Sequence, residues 1–264
     1  AETLIFRGDV STAAPNGRWG TLLLDPENII IANGTGATND NQLSTDREIR
    51  EADGGGATFT ISEQRLETLA TNSDVILEAT NDITIHDLTD DGRLSFGDTP
   101  RKVTFTAGGT VRMVDPTDTI EAPRRIFSID ADRINIGNLD VGSTTANGGS
   151  VALNANNGNL TVGNINTSTT SNARDGGAIS LTAAGGAIQT GNLNASSQSP
   201  SNANFGGVIT LTATDGISTG NIDTRSESIA TVDNGGAVTL RTTTGNVVTG
   251  DITTRSFSTG SPAD

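Results

Sequence analysis

Apolar and polar residues alternate along the second half of this chain in short bursts that recur. After Gly148-Gly149, Gly176-Gly177, Gly206-Gly207 and Gly235-Gly236 come the pairs Val151/Leu153, Ile179/Leu181, Ile209/Leu211 and Val238/Leu240. One polar or small residue separates the members of each pair, which is the period of a half-buried strand. Single apolar residues follow at Leu160, Ile188, Ile217 and Val247, each four positions before the polar member of a Gly-Asn or Gly-Asp step. Another stands directly after that member, at Leu139, Ile165, Leu193, Ile222 and Ile252. The polar member itself, Asn138, Asn164, Asn192, Asn221 and Asp251, recurs at spacings of 26, 28, 29 and 30 residues. Each repeat therefore holds three short strands, each with one apolar face, joined at glycine-containing corners.

A unit of this size cannot bury its apolar faces alone. Stacked on its neighbours it can, with each strand pairing in parallel with its copy one coil on. Helices are disfavoured by Gly-Gly, Gly-Asn and runs of Ser and Thr. The pattern predicts an all-β chain folded as a right-handed, three-sided parallel β-helix, the hand following from the preference of parallel crossovers. Asn138, Asn164, Asn192, Asn221 and Asp251 then fall at one corner, where stacked side chains can form a hydrogen-bonded ladder.

Residues 1–136 are less regular but still legible as strands, among them "GTLLLD", "NIIIA", "DVILEA", "KVTFTA" and "IFSIDADRINIGNL". "ISEQRLETLA" breaks the alternation: Ser62 suits an N-cap, and Leu66 with Leu69 has helical spacing. This predicts one short helix on the side or end of the solenoid. Residues 33–56 read as a polar excursion ending in Gly54-Gly55-Gly56. The expected organisation is one elongated domain: an irregular part over 1–136, regular repeats over 137–255, and a frayed tail over 256–264.

Composition agrees with a stack of small side chains rather than a globular core: 33% hydrophobic, 3% aromatic and 32 glycines in 264 residues. A net charge of −15 argues against nucleic acid, whose phosphates need cations on the protein. No apolar run is long enough to span a bilayer, so no direct membrane insertion is expected. The absence of Cys removes disulfides and thiolate metal sites. Residues 1–20 lack a basic start and apolar middle, so Ala1 is expected to begin a processed or excised segment.

Candidate chemistry is sparse. "DLTDDGRLSFGD" offers Asp87, Thr89, Asp91, Ser95 and Asp98 around Gly92, an arrangement of hard oxygens that suits Ca²⁺. Its plainer reading is an acidic turn between two coils. His86 is the only histidine and is expected on the surface, since one imidazole makes neither a metal cluster nor a triad. Asp130 and Asp132 share a strand face, as paired carboxylates of a glycosidase must, but Arg124, Arg125 and Arg133 nearby point to a solvated charged face. The segments 142–147, 168–175, 196–205 and 225–234 vary in length and sequence and leave one edge of the helix. Loops on a rigid scaffold are where binding resides.

The phrases "WGTLLLDPENIIIANG" and "ISEQRLETLATNSDVILEATNDITIHDL", followed by the Gly-Asn repeats, resemble the large filamentous-haemagglutinin-like exoproteins of bacteria, in their cyanobacterial form. That resemblance covers nearly the whole chain. It implies secretion to the cell surface through an outer-membrane partner pore, and roles in adhesion, aggregation or matrix formation. The expected partners are a surface glycan or protein ligand and, through exposed coil ends, further copies stacked end to end. The rival expectation is a Ca²⁺-dependent polysaccharide lyase or hydrolase on the same fold, and a second is a spacer stalk without a ligand.

Overall fold

The computed structural model describes residues 21–40, 49–50, 58–71 and 73–260. They form a parallel β-solenoid of about eight turns with one short helix. The first face stacks Thr21–Asp25, Asp74–Ala79, the first half of Lys102–Met113, the first half of Ile126–Ile136, Ser150–Ala155, Ile179–Ala183, Ile209–Ala213 and Val238–Thr242. The second face stacks Asn28–Ala32, Ile83–Ile85, the second halves of the two long strands, Leu160–Val162, Ile188–Thr190, Ile217–Ser218 and Val247–Val248. The third runs Arg93–Ser95, Thr119–Glu121, Asn138–Asp140, Ile165–Asn166, Leu193–Asn194, Ile222–Asp223 and Ile252–Thr253.

Register places like residues above like. Leu77, Phe105, Ile129, Leu153, Leu181, Leu211 and Leu240 form one inward column, and Ala79, Ala107, Ala131, Ala155, Ala183 and Ala213 form another. Leu94, Ile120, Leu139, Ile165, Leu193 and Ile222 fill the third face. All of these are buried except Leu240, in the last coil, which is half-buried. The columns run through the irregular front half as well, so residues 74–136 belong to the same solenoid as the regular repeats. Three buried rings lie there: Phe96, Phe105 and Phe127 meet edge to face at 6.2 and 5.5 Å between ring centres.

Chain order and stacking order differ at the first end. Thr21–Asp25 lies between Ile49–Arg50 and Asp74–Ala79, and Asn28–Ala32 lies between Thr58–Ser62 and Ile83–Ile85. The chain steps outward to lay the end coil, then returns through α1 (Glu63–Ala70), capped by Ser62, whose Oγ accepts the Arg65 N–H at 3.4 Å. The outer edge of Thr58–Ser62 is covered by the end of the described part of the polar excursion. Asn39 donates its N–H to the Thr60 carbonyl and accepts the Thr60 N–H on Oδ1, while Asp40 Oδ1 accepts the Ser62 N–H. Residues 41–48 and 51–56 of that excursion, Gly54-Gly55-Gly56 among them, lie outside the described residues.

Two details differ from the sequence reading. Ser256–Ser258, expected in the frayed tail, is a strand paired with Ser226–Ser228. Arg125, expected on a solvated face, is fully buried. Its guanidinium donates to the carbonyls of Ala70, Ser73, Phe96 and Gly97, at the C-terminal end of α1 and the end of a third-face strand. Carbonyl dipoles at a helix C-terminus take the place of a carboxylate partner. Burial pushes its pKa down to about 10, so it remains charged at neutral pH.

The tightest steric demand falls on the stacked glycine pairs. A Cβ on Gly177 would stand 1.7 Å from the Gly149 carbonyl oxygen. Gly177→Ala is expected to cost about 3 kcal/mol or more, as backbone of two coils must shift. Ala178→Ser, on an exposed neighbour, is expected to cost nothing measurable, and thermal unfolding of the two variants checks the contrast.

Candidate functional site

The recurring corner residue is a ladder rung. Asn138 Oδ1 accepts the N–H of Asn164 at 3.0 Å, Asn164 Oδ1 that of Asn192 at 2.8 Å, Asn192 Oδ1 that of Asn221 at 2.8 Å, and Asn221 Oδ1 that of Asp251 at 2.9 Å. Every rung therefore satisfies a backbone donor of the next coil. The preceding glycine follows from the same contact. A Cβ at Gly163, Gly191, Gly220 or Gly250 would lie between 2.3 and 2.7 Å from the Asn Oδ1 of the coil below.

A second polar column, two residues further on, was not anticipated. Asp140, Asn166, Asn194 and Asp223 stack in register. Each turns its Oδ1 onto the N–H two residues ahead, at Gly142, Ser168, Ser196 and Arg225. These Asx turns launch the variable segments. The signal was present in the sequence as Asn-x-Asp or Asn-x-Asn after each glycine.

The variable segments leave one edge of the solenoid and stack on one another as a side lobe. Ser197–Ser199, Ser226–Ser228 and Ser256–Ser258 form a three-stranded sheet, extended through single bridges to Thr169 and Ser143. Asn202–Ala203 pairs with Thr231–Val232 beside it. The second glycine of each pair closes the lobe at its base, its N–H bonded to Val141, Thr167, Ala195 or Thr224 at 2.6–2.8 Å. The interior of the lobe is hydroxyl-rich: Thr169, Ser197 and Ser226 are fully buried in one column. Thr169 and Ser197 bond the carbonyls of Ala146 and Arg174, while the Ser226 Oγ has no partner. Outward stand Gln198, Glu227 and Phe257, with Phe205 and Ile229 exposed. Arg225 bridges Asp223 and Glu227 at 3.3 and 2.9 Å.

The acidic loop divides its oxygens among separate partners. Asp87 approaches Asp115 and Asp118, whereas Asp91 approaches Asp90 and the buried Glu63, the carboxylate oxygens of each set lying within 4.8 Å of one another. Thr89 Oγ1 accepts from Asn33, and Asp98 pairs with Arg124 at 3.4 Å. Ser95 donates its N–H to Glu67 at 2.6 Å. Asp118 accepts the Leu88 N–H at 2.9 Å, and burial raises its pKa. Burial pushes Glu63 up to about 7 despite the Gly34 N–H it accepts, with Asp90, Glu67 and Asp91 adding repulsion.

His86 stands exposed on the strand end. Asp130 and Asp132 are not left as a free pair: each carboxylate accepts an amide N–H of the next coil, from Asn156 at 2.7 Å and Asn157 at 2.5 Å respectively.

If the rungs hold the corner, Asn192→Ala strips an acceptor from Asn221 N–H and is expected to cost about 1 kcal/mol. Asn192→Asp keeps the acceptor and is expected to cost less; chemical denaturation of the pair measures both. The protein-family models, the curated proteins and the solved structures contain no match to this chain.

Proposed function

We propose that this chain is a structural and adhesive segment of a secreted or cell-surface exoprotein, in which a rigid solenoid presents the side lobe for attachment or aggregation. The observation that carries this reading is the lobe itself. Its interior side chains and base bonds repeat from coil to coil, whereas its outward residues do not. Gln198, Glu227 and Phe257 occupy one outward column, and Phe205 and Ile229 stand exposed. A surface that is conserved in construction and varied in chemistry suits recognition more than support. Contacts of this kind act through number, since several weak rungs held at fixed spacing raise effective concentration for each other. The partner class is a surface glycan or protein, and the route outward is an outer-membrane pore. The reading assigns the chain no reaction.

Binding of the purified chain to a glycan panel and to intact cells tests it. Phe205→Ser, Glu227→Ala and Ile229→Ser together leave the lobe interior and its base bonds untouched. The triple variant is expected to keep the fold by circular dichroism and to lose binding at least tenfold. Binding at the parental level would remove the lobe from the function. A parent chain that binds nothing would leave a spacer.

A further inference from the structure

The outer face of the lobe sheet gathers a ring, a carboxylate, a carboxamide and a hydroxyl within three coils. Gln198, Glu227 and Phe257 stack as one outward column. Against that column lies an open groove of about 270 Å³, lined by Gln198, Ser199, Pro200, Glu227, Ser228 and Thr259. Phe257 stands one coil beyond Glu227 and two residues before Thr259, so it flanks the groove. It is half-buried, and the Arg255 guanidinium sits over its ring at 4.4 Å.

The polar groups of the groove are held in place before any ligand arrives. Arg225 lies beside them and is fully engaged. Its Nη1 pairs with Asp223 at 3.3 Å and its Nε with Glu227 Oε2 at 2.9 Å. With the Gln198 carboxamide turned so that its oxygen faces Arg225, that oxygen accepts from Nη2 at 2.6 Å and from Nε at 3.2 Å. Glu227 Oε1 is bonded to no protein donor among the described residues. Thr259 Oγ1 donates to the Ser228 carbonyl at 3.1 Å and keeps its acceptor side.

These features narrow the ligand. The lining carries one carboxylate and no cation, so an anion is repelled. Arg225 already compensates Glu227, so a cation gains little. The main chain of the floor is paired within the sheet, and the Ser228 carbonyl also takes the Thr259 N–H at 2.7 Å. An extended peptide therefore finds no ladder to join. What fits is a small uncharged molecule with several hydroxyls and an apolar side, in a groove near the lower size limit of ligand sites.

We propose that this groove is a subsite for one uncharged sugar residue of a glycan. Its hydroxyls bond Glu227 Oε1, Gln198 and Thr259, and its ring carbons lie against Pro200 and Phe257. The proposal rests on the adhesive reading of the lobe and gives that reading a place and a ligand class. A single shallow subsite binds weakly, and repetition along a polymer of glycans supplies the rest.

NMR titration of the whole, isotope-labelled chain tests the subsite. The probes are the methyl glycosides of glucose, galactose and mannose, each beside the corresponding uronate. At least one neutral glycoside is expected to shift the Gln198 side-chain amide and the Glu227 and Thr259 main-chain amides, with a Kd below about 50 mM. Amides of Ser150–Ala155, on the first face, are expected to stay still. The matching uronate is expected to bind at least fivefold more weakly, and Glu227→Gln to bring the two within twofold. Phe257→Leu keeps an apolar strand residue and is expected to weaken the neutral sugar at least threefold. Ser180→Ala, exposed on the first face, is expected to change nothing. A uronate that binds as well as its neutral partner overturns the proposal, as does Phe257→Leu at the parental affinity. Cells that hold the parent chain while no glycoside titrates it overturn the subsite and leave the adhesive reading with a protein partner. A chain that holds neither cells nor glycosides overturns both.

Discussion

Parallel pairing of each coil with the next at the strand spacing of about 4.8 Å is the constraint on which everything else rests. It forbids a coil from standing alone, and it forces each residue to answer to the one above and the one below. The Gly-Asn steps are the clearest result. Asn164 Oδ1 takes the N–H of Asn192, and in doing so occupies the place where a side chain on Gly191 would begin. The asparagine and the glycine are one solution seen from two coils. The stacked glycine pairs solve the same problem at the base of the lobe, where carbonyls of one coil press against the backbone of the next.

A stack built this way is self-supporting in the middle and vulnerable at its ends. At the first end the chain leaves its own order to lay the coil containing Thr58–Ser62 outermost, then covers that coil's edge with Asn39 and Asp40. The third ladder ends under α1. At the other end Val247, Val248 and Ile252 are 44%, 59% and 47% exposed on strands with one neighbour each. Among the described residues the two ends are thus built differently: Asn39 and Asp40 take the place of a strand at one, and strands with a single neighbour stand at the other.

What was legible in the sequence is what repeats. The Gly-Gly strands, the single apolar residues around each Gly-Asn step and the short helix capped by Ser62 could be read because spacing and residue type recur or because a local rule applies. The second Asx column has its trace in the Asn-x-Asn phrase, but a polar residue two positions after a corner fits any outward strand position as well as a turn. The inverted order of the first coils left no periodic trace, since a strand inserted between two others carries the same alternation as any strand. Arg125 was unreadable for another reason. Its partners are main-chain carbonyls of Ala70, Ser73, Phe96 and Gly97, brought from two places in the chain, and carbonyls have no letter in a sequence. Asp87 and Asp91 show the converse, a contiguous acidic pattern whose members turn to different neighbours in space.

The lobe shows how the same constraint permits variety. Its segments are free to differ in length because each is closed at the base by a hydrogen bond within its own coil, from a glycine N–H to the carbonyl of Val141, Thr167, Ala195 or Thr224. An added residue therefore lengthens the excursion without shifting the register of the three faces. Inside the lobe, hydroxyls replace methyls: Thr169 and Ser197 bond carbonyls of the same lobe, so a polar interior is held without an apolar core. Outward positions meet neither requirement. The column that holds Gln198 and Glu227 passes to Phe257, which lies under the Arg255 guanidinium at 4.4 Å. Chemistry changes there from coil to coil because the strand register sets no residue type at outward positions, and the adhesive role proposed for the lobe rests on that freedom.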